Sequence, residues 1–252
     1  MTRPRILGVP VDPVTFEEML QKIGEWAAST GLHQICTVNP EFVIVAQNDP
    51  VFYEVLQHAD LCVPDGWGVV WALRMRGIHV PERVTGSDGV PMIAERAAGK
   101  GWRLFLLGAG PGVAKQAAQF LHDQYPLLKI VGTYEGSPRP EEAEKIIQLV
   151  NTAQPDILLV AYGAPKQDIW IYQHKGELQV KVAMGIGGTL DFITGAVPRA
   201  PRFFRRTGLE WLYRLYLQPS RWRRMLRLPL FAFYALWYGE NLTRKKRDGA
   251  HD

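Results

Sequence analysis

The segment RLFLLGAGPGVAKQAAQFLHDQYPLLKIVGTY (residues 103–134) is a complete strand, loop, helix and strand in 32 residues. RLFLLG and KIVGTY are short aliphatic and β-branched runs, which suit strands. Between them, residues 111–125 place Val113, Ala117, Phe120, Leu121 and Gln124 at three-to-four spacing, the signature of a helix with one buried face. The unit repeats. Apolar runs begin near residues 103, 129, 156 and 181, about 26 residues apart, which is the length of a strand plus a crossover helix. HQICTV (33–38) is a further strand upstream, and PEEAEKIIQLVNTA (140–153) opens with Pro and acids as a helix does. Strands that are almost entirely apolar must be covered on both faces. The expected fold is therefore α/β: a Rossmann-like, mostly parallel sheet with helices on both sides. Val14–Ser29, Asp49–Gln57 and Gly66–Arg76 read as additional helices.

The 252-residue chain is 47% hydrophobic and 21% charged, ordinary values for a globular protein. Two cysteines, Cys36 and Cys62, both in apolar runs, read as buried and reduced, which favours the cytosol. The N-terminus has no sustained apolar stretch of the kind a secretory signal needs. Charge divides the chain unequally: residues 199–252 hold 13 Lys+Arg against 4 Asp+Glu, a net of +9, and the rest carries −5. This tail interleaves its arginines with Phe203, Trp211, Tyr216, Trp222, Phe233 and Trp237, a pairing suited to a surface that is apolar at one depth and phosphate-rich at another. Its longest apolar run, Leu228–Tyr238, is far short of the roughly 20 residues needed to span a bilayer. The expected organisation is a catalytic core over residues 1–195 and a basic, aromatic, helical appendage over 196–252 that lies on an anionic membrane. Helices are expected over 209–217, and from a Ser220 cap through a Pro229 kink to about Asn241. The aliphatic bulk of LPLFAFYALW argues for lipid rather than nucleic acid as the tail's partner.

Ligands of open parallel sheets bind beyond the carboxyl ends of the strands. That edge holds Thr37 and Asn39, the loop Gly108–Gly112, Tyr134 and Glu135, then Gly163–Gln167 with Lys166, and Gly187, Gly188 and Asp191; Asp65 and Arg83 lie in neighbouring loops. GAGPGV (108–113) follows a strand and opens a helix, so its N–H groups can face a phosphate or simply make a tight turn. Val113 stands where the dinucleotide fingerprint needs Gly, but Glu135 as a ribose-binding acid keeps a nicotinamide-dependent oxidoreductase as an alternative. Asp65, between Pro64 and Gly66, reads equally as a turn former or a general base. No Asp-x-Asp, His-x-His, Cys-x-x-Cys, GxSxG or Walker loop occurs, which lowers the odds of a local metal cluster, a hydrolase or an NTPase. Without a metal, a diphosphate needs arginines or helix N-termini. Arg214, Arg221 and Arg224 in the tail are available for that, or for lipid headgroups.

The motifs TVNPEFV (37–43), ADLCVPDGWGVVWA (59–72), ERVTGSD (82–88), FLLGAGPGVA (105–114), GAPKQDIW (163–170), GIGGTLDFITGAVPRAP (185–201) and LEWLYRLYLQPSR (209–221), in this order, resemble the WecG/TagA/CpsF glycosyltransferases, family 26. The resemblance covers nearly the whole chain. One departure is Asp168, where the family usually has Glu. The resemblance implies inverting, metal-independent transfer of N-acetylmannosamine from its UDP conjugate to the 4-hydroxyl of lipid-diphosphate-linked N-acetylglucosamine, in the synthesis of wall teichoic acid or a related polymer. It implies no cofactor and no nucleic acid. UDP-N-acetylmannosaminuronate is the alternative donor. Asp65 is then the implied base; Thr37, Asn39, Arg83 and Gln167 line the sugar pocket, Thr37 and Arg83 among the catalytic residues. Gly108, Gly110, Glu135, Lys166, Gly187, Gly188 and Asp191 surround the UDP, and Arg214, Arg221 and Arg224 complete the site over the diphosphate. A peripheral place on the cytoplasmic face of the membrane is implied too. A homo-oligomer that covers the apolar tail in solution is also expected.

Overall fold

The computed structural model describes residues 3–201, 203–204, 207–217, 219 and 222–239. A short hairpin, β1 (Arg5–Ile6) and β2 (Val9–Pro10), precedes α1 (Phe16–Ala27). There follow β3 (His33–Val38), α2 (Pro40–Ala46), α3 (Pro50–His58), β4 (Leu61–Pro64), α4 (Trp67–Arg74) and α5 (Gly86–Lys100). The repeat already evident in the sequence comes next: β5 (Arg103–Gly108), α6 (Val113–Gln124), β6 (Lys129–Tyr134), α7 (Pro140–Ala153), β7 (Ile157–Ala161), α8 (Lys166–Gln173), β8 (Val182–Gly185) and α9 (Thr189–Ile193). The tail forms α10 (Glu210–Leu217), α11 (Trp222–Met225) and α12 (Arg227–Tyr238).

Strands β3 to β8 form one six-stranded sheet, wholly parallel, in the order β4-β3-β8-β7-β5-β6. Side chains alternate between its faces as the pleat requires. Ile35, Leu104, Leu106, Ile157, Leu159, Val182 and Met184 pack with α1, α5 and α6. Cys36 and Val38 pack with α2, α3 and α4 on the other face, where Phe105, Leu107, Leu158 and Val160 meet α7 and α8. The two thiols are buried, unlinked and level with each other on adjacent strands.

The helix pattern needs one correction. On α6 the buried stripe is Ala114, Ala117 and Leu121, while Phe120 is about half exposed. One residue is a rotation of about 100° on a helix, so Leu121 and Phe120 cannot both face the sheet.

The connections define where a ligand can enter. The helix after β3 lies on one face and the helix after its neighbour β8 on the other, since Leu190 of α9 packs with α5 and α6. The same reversal separates β8 from β7, which is followed by α8, β7 from β5, followed by α6, and β5 from β6, followed by α7. Each reversal opens a crevice at the carboxyl edge. In the tail, α12 docks on α2 and α4. Phe231, 2% exposed, enters the core beside them, Arg227 reaches Glu41 at 2.6 Å, and Leu7 N–H donates to Gly239 O. Among the described residues no helix is long and apolar enough to cross a membrane.

Candidate functional site

The crevice between β3 and β8 begins with Thr37. It shares the strand parity of Ile35, so it faces the α5 side, and it is nearly buried. Asn39 follows in extended conformation and caps α2: its Oδ1 accepts from Phe42 N–H at 3.0 Å, and Pro40 takes the first helical position. That bond uses the acceptor of the Asn39 side chain. The amide nitrogen makes no hydrogen bond among the described residues.

Pro64 pairs with Val38 in register, and Asp65 N–H donates to Val38 O at 2.8 Å, which sets Asp65 level with Asn39. The backbone then turns at Gly66 with φ +96° into α4. Val84 N–H donates to Pro64 O at 2.9 Å and lays residues 82–84 alongside the same loop. Arg83 is thereby delivered next to Asp65. Its guanidinium lies 6.0 Å from the centre of the Trp67 ring and 3.6 Å from the Glu210 carboxylate of α10, with both partners of the ion pair largely shielded from solvent. This arginine links core and tail.

Three residues near this corner had no assigned role in the sequence reading. Thr85 caps α5, accepting from Asp88 N–H and donating to Asp88 Oδ2 at 2.7 Å. Arg199 donates to Asp88 Oδ1 at 2.5 Å and to Ser87 at 3.2 Å. Burial pushes the Asp88 carboxyl up, but the bonds from Thr85 and Arg199 outweigh it and hold the group below the ordinary aspartate range. The Thr-x-x-Asp spacing in TGSD was the available signal for this cap. Nothing local in the sequence pairs residue 88 with residue 199.

Across the crevice, Gln167 is 1% exposed, and its Oε1 accepts from Gly163 N–H at 3.1 Å and Gly187 N–H at 2.9 Å. It ties the loop after β7 to the loop after β8. The side chain therefore shapes the crevice from beneath. Asp168 beside it is fully buried, and Gln34 donates to its backbone carbonyl at 2.9 Å. Neither carboxyl oxygen completes a well-aligned hydrogen bond, although the Gln167 amide and the Cys36 thiol adjoin it. Burial pushes this carboxyl up to about 7, against a smaller opposing pull from those neighbours. Gly185 is what makes room: a Cβ there would stand 2.6 Å from Asp168 Oδ1. Gly187, Gly188 and Asp191 continue the rim, with the Asp191 carboxylate folded beside Gly188, and Lys166 is exposed at the start of α8.

The remaining expected residues lie elsewhere. Gly108, Gly110 and Glu135 sit at the ends of β5 and β6, on the other half of the sheet. Asp65 and Glu135 are separated by five strand spacings, roughly 24 Å at about 4.8 Å each. The loop's N–H groups are partly engaged already: Ala109 donates to Ala161 O at 3.0 Å, and Gly112 donates to the Glu135 carboxylate. Gly108 is required for close packing, since a Cβ would meet the Ala161 carbonyl carbon at 2.8 Å. Of the tail arginines, the backbones of Arg214 and Arg224 belong to α10 and α11; their side chains, and the whole of Arg221, lie outside the described residues. Among the described residues no three His, Cys, Asp or Glu side chains gather as metal ligands.

Comparison with known proteins identifies the family. The family model described as glycosyl transferase WecG/TagA/CpsF family matches residues 4–247. Three curated relatives bear the name N-acetylglucosaminyldiphosphoundecaprenol N-acetyl-beta-D-mannosaminyltransferase. That of Bacillus subtilis strain 168 is 35% identical over 202 residues, covering 80% of this chain and 78% of its own. The Bacillus spizizenii protein is 34% identical over 197 residues, 78% and 76% of the two chains. The Staphylococcus aureus MRSA252 protein is 31% identical over 230 residues, 90% of each.

Proposed function

The chain belongs to the WecG/TagA/CpsF glycosyltransferase family, and on that premise we propose that it moves N-acetylmannosamine from its UDP conjugate to the 4-hydroxyl of N-acetylglucosamine carried on undecaprenyl diphosphate. The transfer inverts the anomeric centre and uses no metal ion. The observation that carries this reading is the meeting of Asp65, Arg83 and Asn39 at one end of the β3/β8 crevice.

Inversion by single displacement needs a base for the acceptor proton and stabilisation for the leaving diphosphate. Asp65 takes the proton as the acceptor oxygen attacks the anomeric carbon, and the bond to UDP breaks on the opposite side. Charge then builds on the β-phosphate. Arg214, Arg221 and Arg224 from the tail offset it, and Arg83 lines the sugar pocket. Thr37 and the Asn39 amide nitrogen hold sugar hydroxyls, while Gln167 acts through the loops it joins. Gly187, Gly188, Asp191 and Lys166 flank the nucleotide. The tail's basic and aromatic surface keeps the enzyme peripheral on the cytoplasmic face of the membrane, where the lipid acceptor lies, and a homo-oligomer shields that surface in solution.

The nicotinamide alternative loses ground because Glu135, its ribose acid, is bonded to the Gly112 N–H. The test of the main reading is UDP release from UDP-N-acetylmannosamine with a short-chain lipid diphosphate N-acetylglucosamine, with and without chelator. Turnover is expected in both conditions. Strict metal dependence, or silence with every UDP-sugar, refutes it; preference for the uronate donor would reassign the sugar alone. Asp65→Ala should lower kcat by about 10²- to 10⁴-fold, the range of general-base catalysis, without loss of fold.

A further inference from the structure

Most exposed apolar side chains of the core stand alone on separate elements: Val51 on α3, Phe120 on α6, Leu149 on α7. Scattered residues of this kind need no explanation. Helix α4 is different. Trp67 (38% exposed), Trp71 (37%) and Met75 (63%, at its C-cap) recur every fourth residue, so they form one stripe, while Val69, Val70, Ala72 and Leu73 fill the core behind it. The stripe is about 12 Å long at about 1.5 Å per residue. It starts two residues after Asp65.

We propose that this stripe is the track for the hydrocarbon chain of the lipid-diphosphate acceptor. The inference rests on the acceptor named under the proposed function. Its support is an ordered match of polarity. The acceptor presents, in sequence, a sugar hydroxyl, a diphosphate and a polyprenyl chain. Along the protein lie the Asp65 carboxylate, the Arg83 guanidinium over the Trp67 ring, and then Trp71 and Met75. Carboxylate, cation and hydrocarbon follow in the order in which the three parts of that molecule need them. The track has borders as well: Gly208 packs against the Trp67 ring at its start, and α12 lies alongside α4 through Phe231. A flat bilayer contact gives no reason for an apolar stripe to begin at the reacting carboxylate, whereas a chain leaving the site does.

The test compares two acceptors with the same N-acetylglucosamine diphosphate, one on a polyprenyl chain and one on an alkyl chain of a few carbons, in the same detergent. For the full-length Trp71→Ser/Met75→Ser variant, KM for the polyprenyl acceptor should rise about tenfold or more. The value of kcat, KM for the UDP-sugar and KM for the short acceptor should not change. Met75→Ser alone, the most exposed of these changes, should give a smaller rise of the same sign, and Trp71→Phe/Met75→Leu should restore the wild-type value. An unchanged polyprenyl KM overturns the proposal, and so does equal weakening of both acceptors. Loss confined to vesicle flotation assigns the stripe to the bilayer, and loss confined to oligomer mass assigns it to a second copy of the chain; either result also overturns it. Absence of turnover by the wild-type protein on both acceptors is a separate result, which removes the glycosyltransferase reading itself.

Discussion

Replacing Asp168 with Asn should stabilise the protein at alkaline pH and not at acid pH. The carboxyl is fully buried and is pushed up to about 7 by that burial, from an ordinary value of 3.8. An aspartate whose folded-state value is raised binds its proton more tightly in the native chain than in the unfolded one. Native stability is then intact below about pH 4 and falls as pH climbs toward and through 7. About 3 units at about 1.36 kcal/mol each give a penalty of about 4 kcal/mol at pH 8, against about 0.5 kcal/mol at pH 4. No exposure discount applies, because no part of the side chain is wet. The groups that face it are the Cys36 thiol on β3, with Cys62 beyond it on β4, and the Gln167 amide on α8; none is a cation. Asp168→Asn removes the titration and keeps the shape. Urea unfolding of both proteins at pH 4 and pH 8 measures the effect. The advantage of the variant should grow by about 3 to 4 kcal/mol between the two, and half of that would still carry the sign. A difference that is the same at both pH values refutes the reasoning, for it would mean that Asp168 titrates alike in the native and unfolded chains.

Gln167→Ala should cost about 2 to 4 kcal/mol, because it leaves the N–H groups of Gly163 and Gly187 without the acceptor they now share. Its kcat/KM should fall together with donor affinity, since the two loops lose their common tie; donor titration by calorimetry beside steady-state kinetics checks this, and intact affinity would confine the residue to stability. Phe231→Ala should release α12 from α2 and α4 at a cost of about 3 to 5 kcal/mol. Limited proteolysis reads this directly: cleavage between residues 222 and 239 should accelerate at least tenfold while the core persists, and an unchanged rate would show that the helix is held by other contacts.

The parallel sheet was legible because its strands are apolar runs at even spacing, and HQICTV and RLFLLG coincide with β3 and β5 to the residue. Strand β4 and helix α5 were not assigned. LCVP is only four residues long, and α5 contains Gly86, Gly89, Gly99 and an internal Pro91, so neither propensity nor periodicity marks it. The edge residues were legible as a set, since the carboxyl-edge rule needs only the strand ends. Their division between the two halves of the sheet was not, because the chain jumps from β4 to the far side of the sheet before returning. Nor was the status of Asn39 and Gln167, whose oxygens are consumed by backbone N–H groups; only the folded loop geometry sets that.

The tail's charge invites an electrostatic account of how it docks, and the magnitudes argue against one. Arg199 to Asp88 and Arg227 to Glu41 join tail cations to core anions, and Glu210 to Arg83 reverses the sense. The Arg199–Asp88 and Arg227–Glu41 pairs are partly solvated, and such pairs are worth about 0 to 1 kcal/mol each and weaken with salt. Burying one phenyl ring contributes about 1.5 to 3 kcal/mol and is indifferent to salt. Phe231 therefore outweighs either of these pairs, so α12 should stay seated at ionic strengths that screen the arginines. Docking thus draws on only one part of the helix. Phe231 holds the core, while Phe233, Leu236 and Trp237 remain exposed on α12.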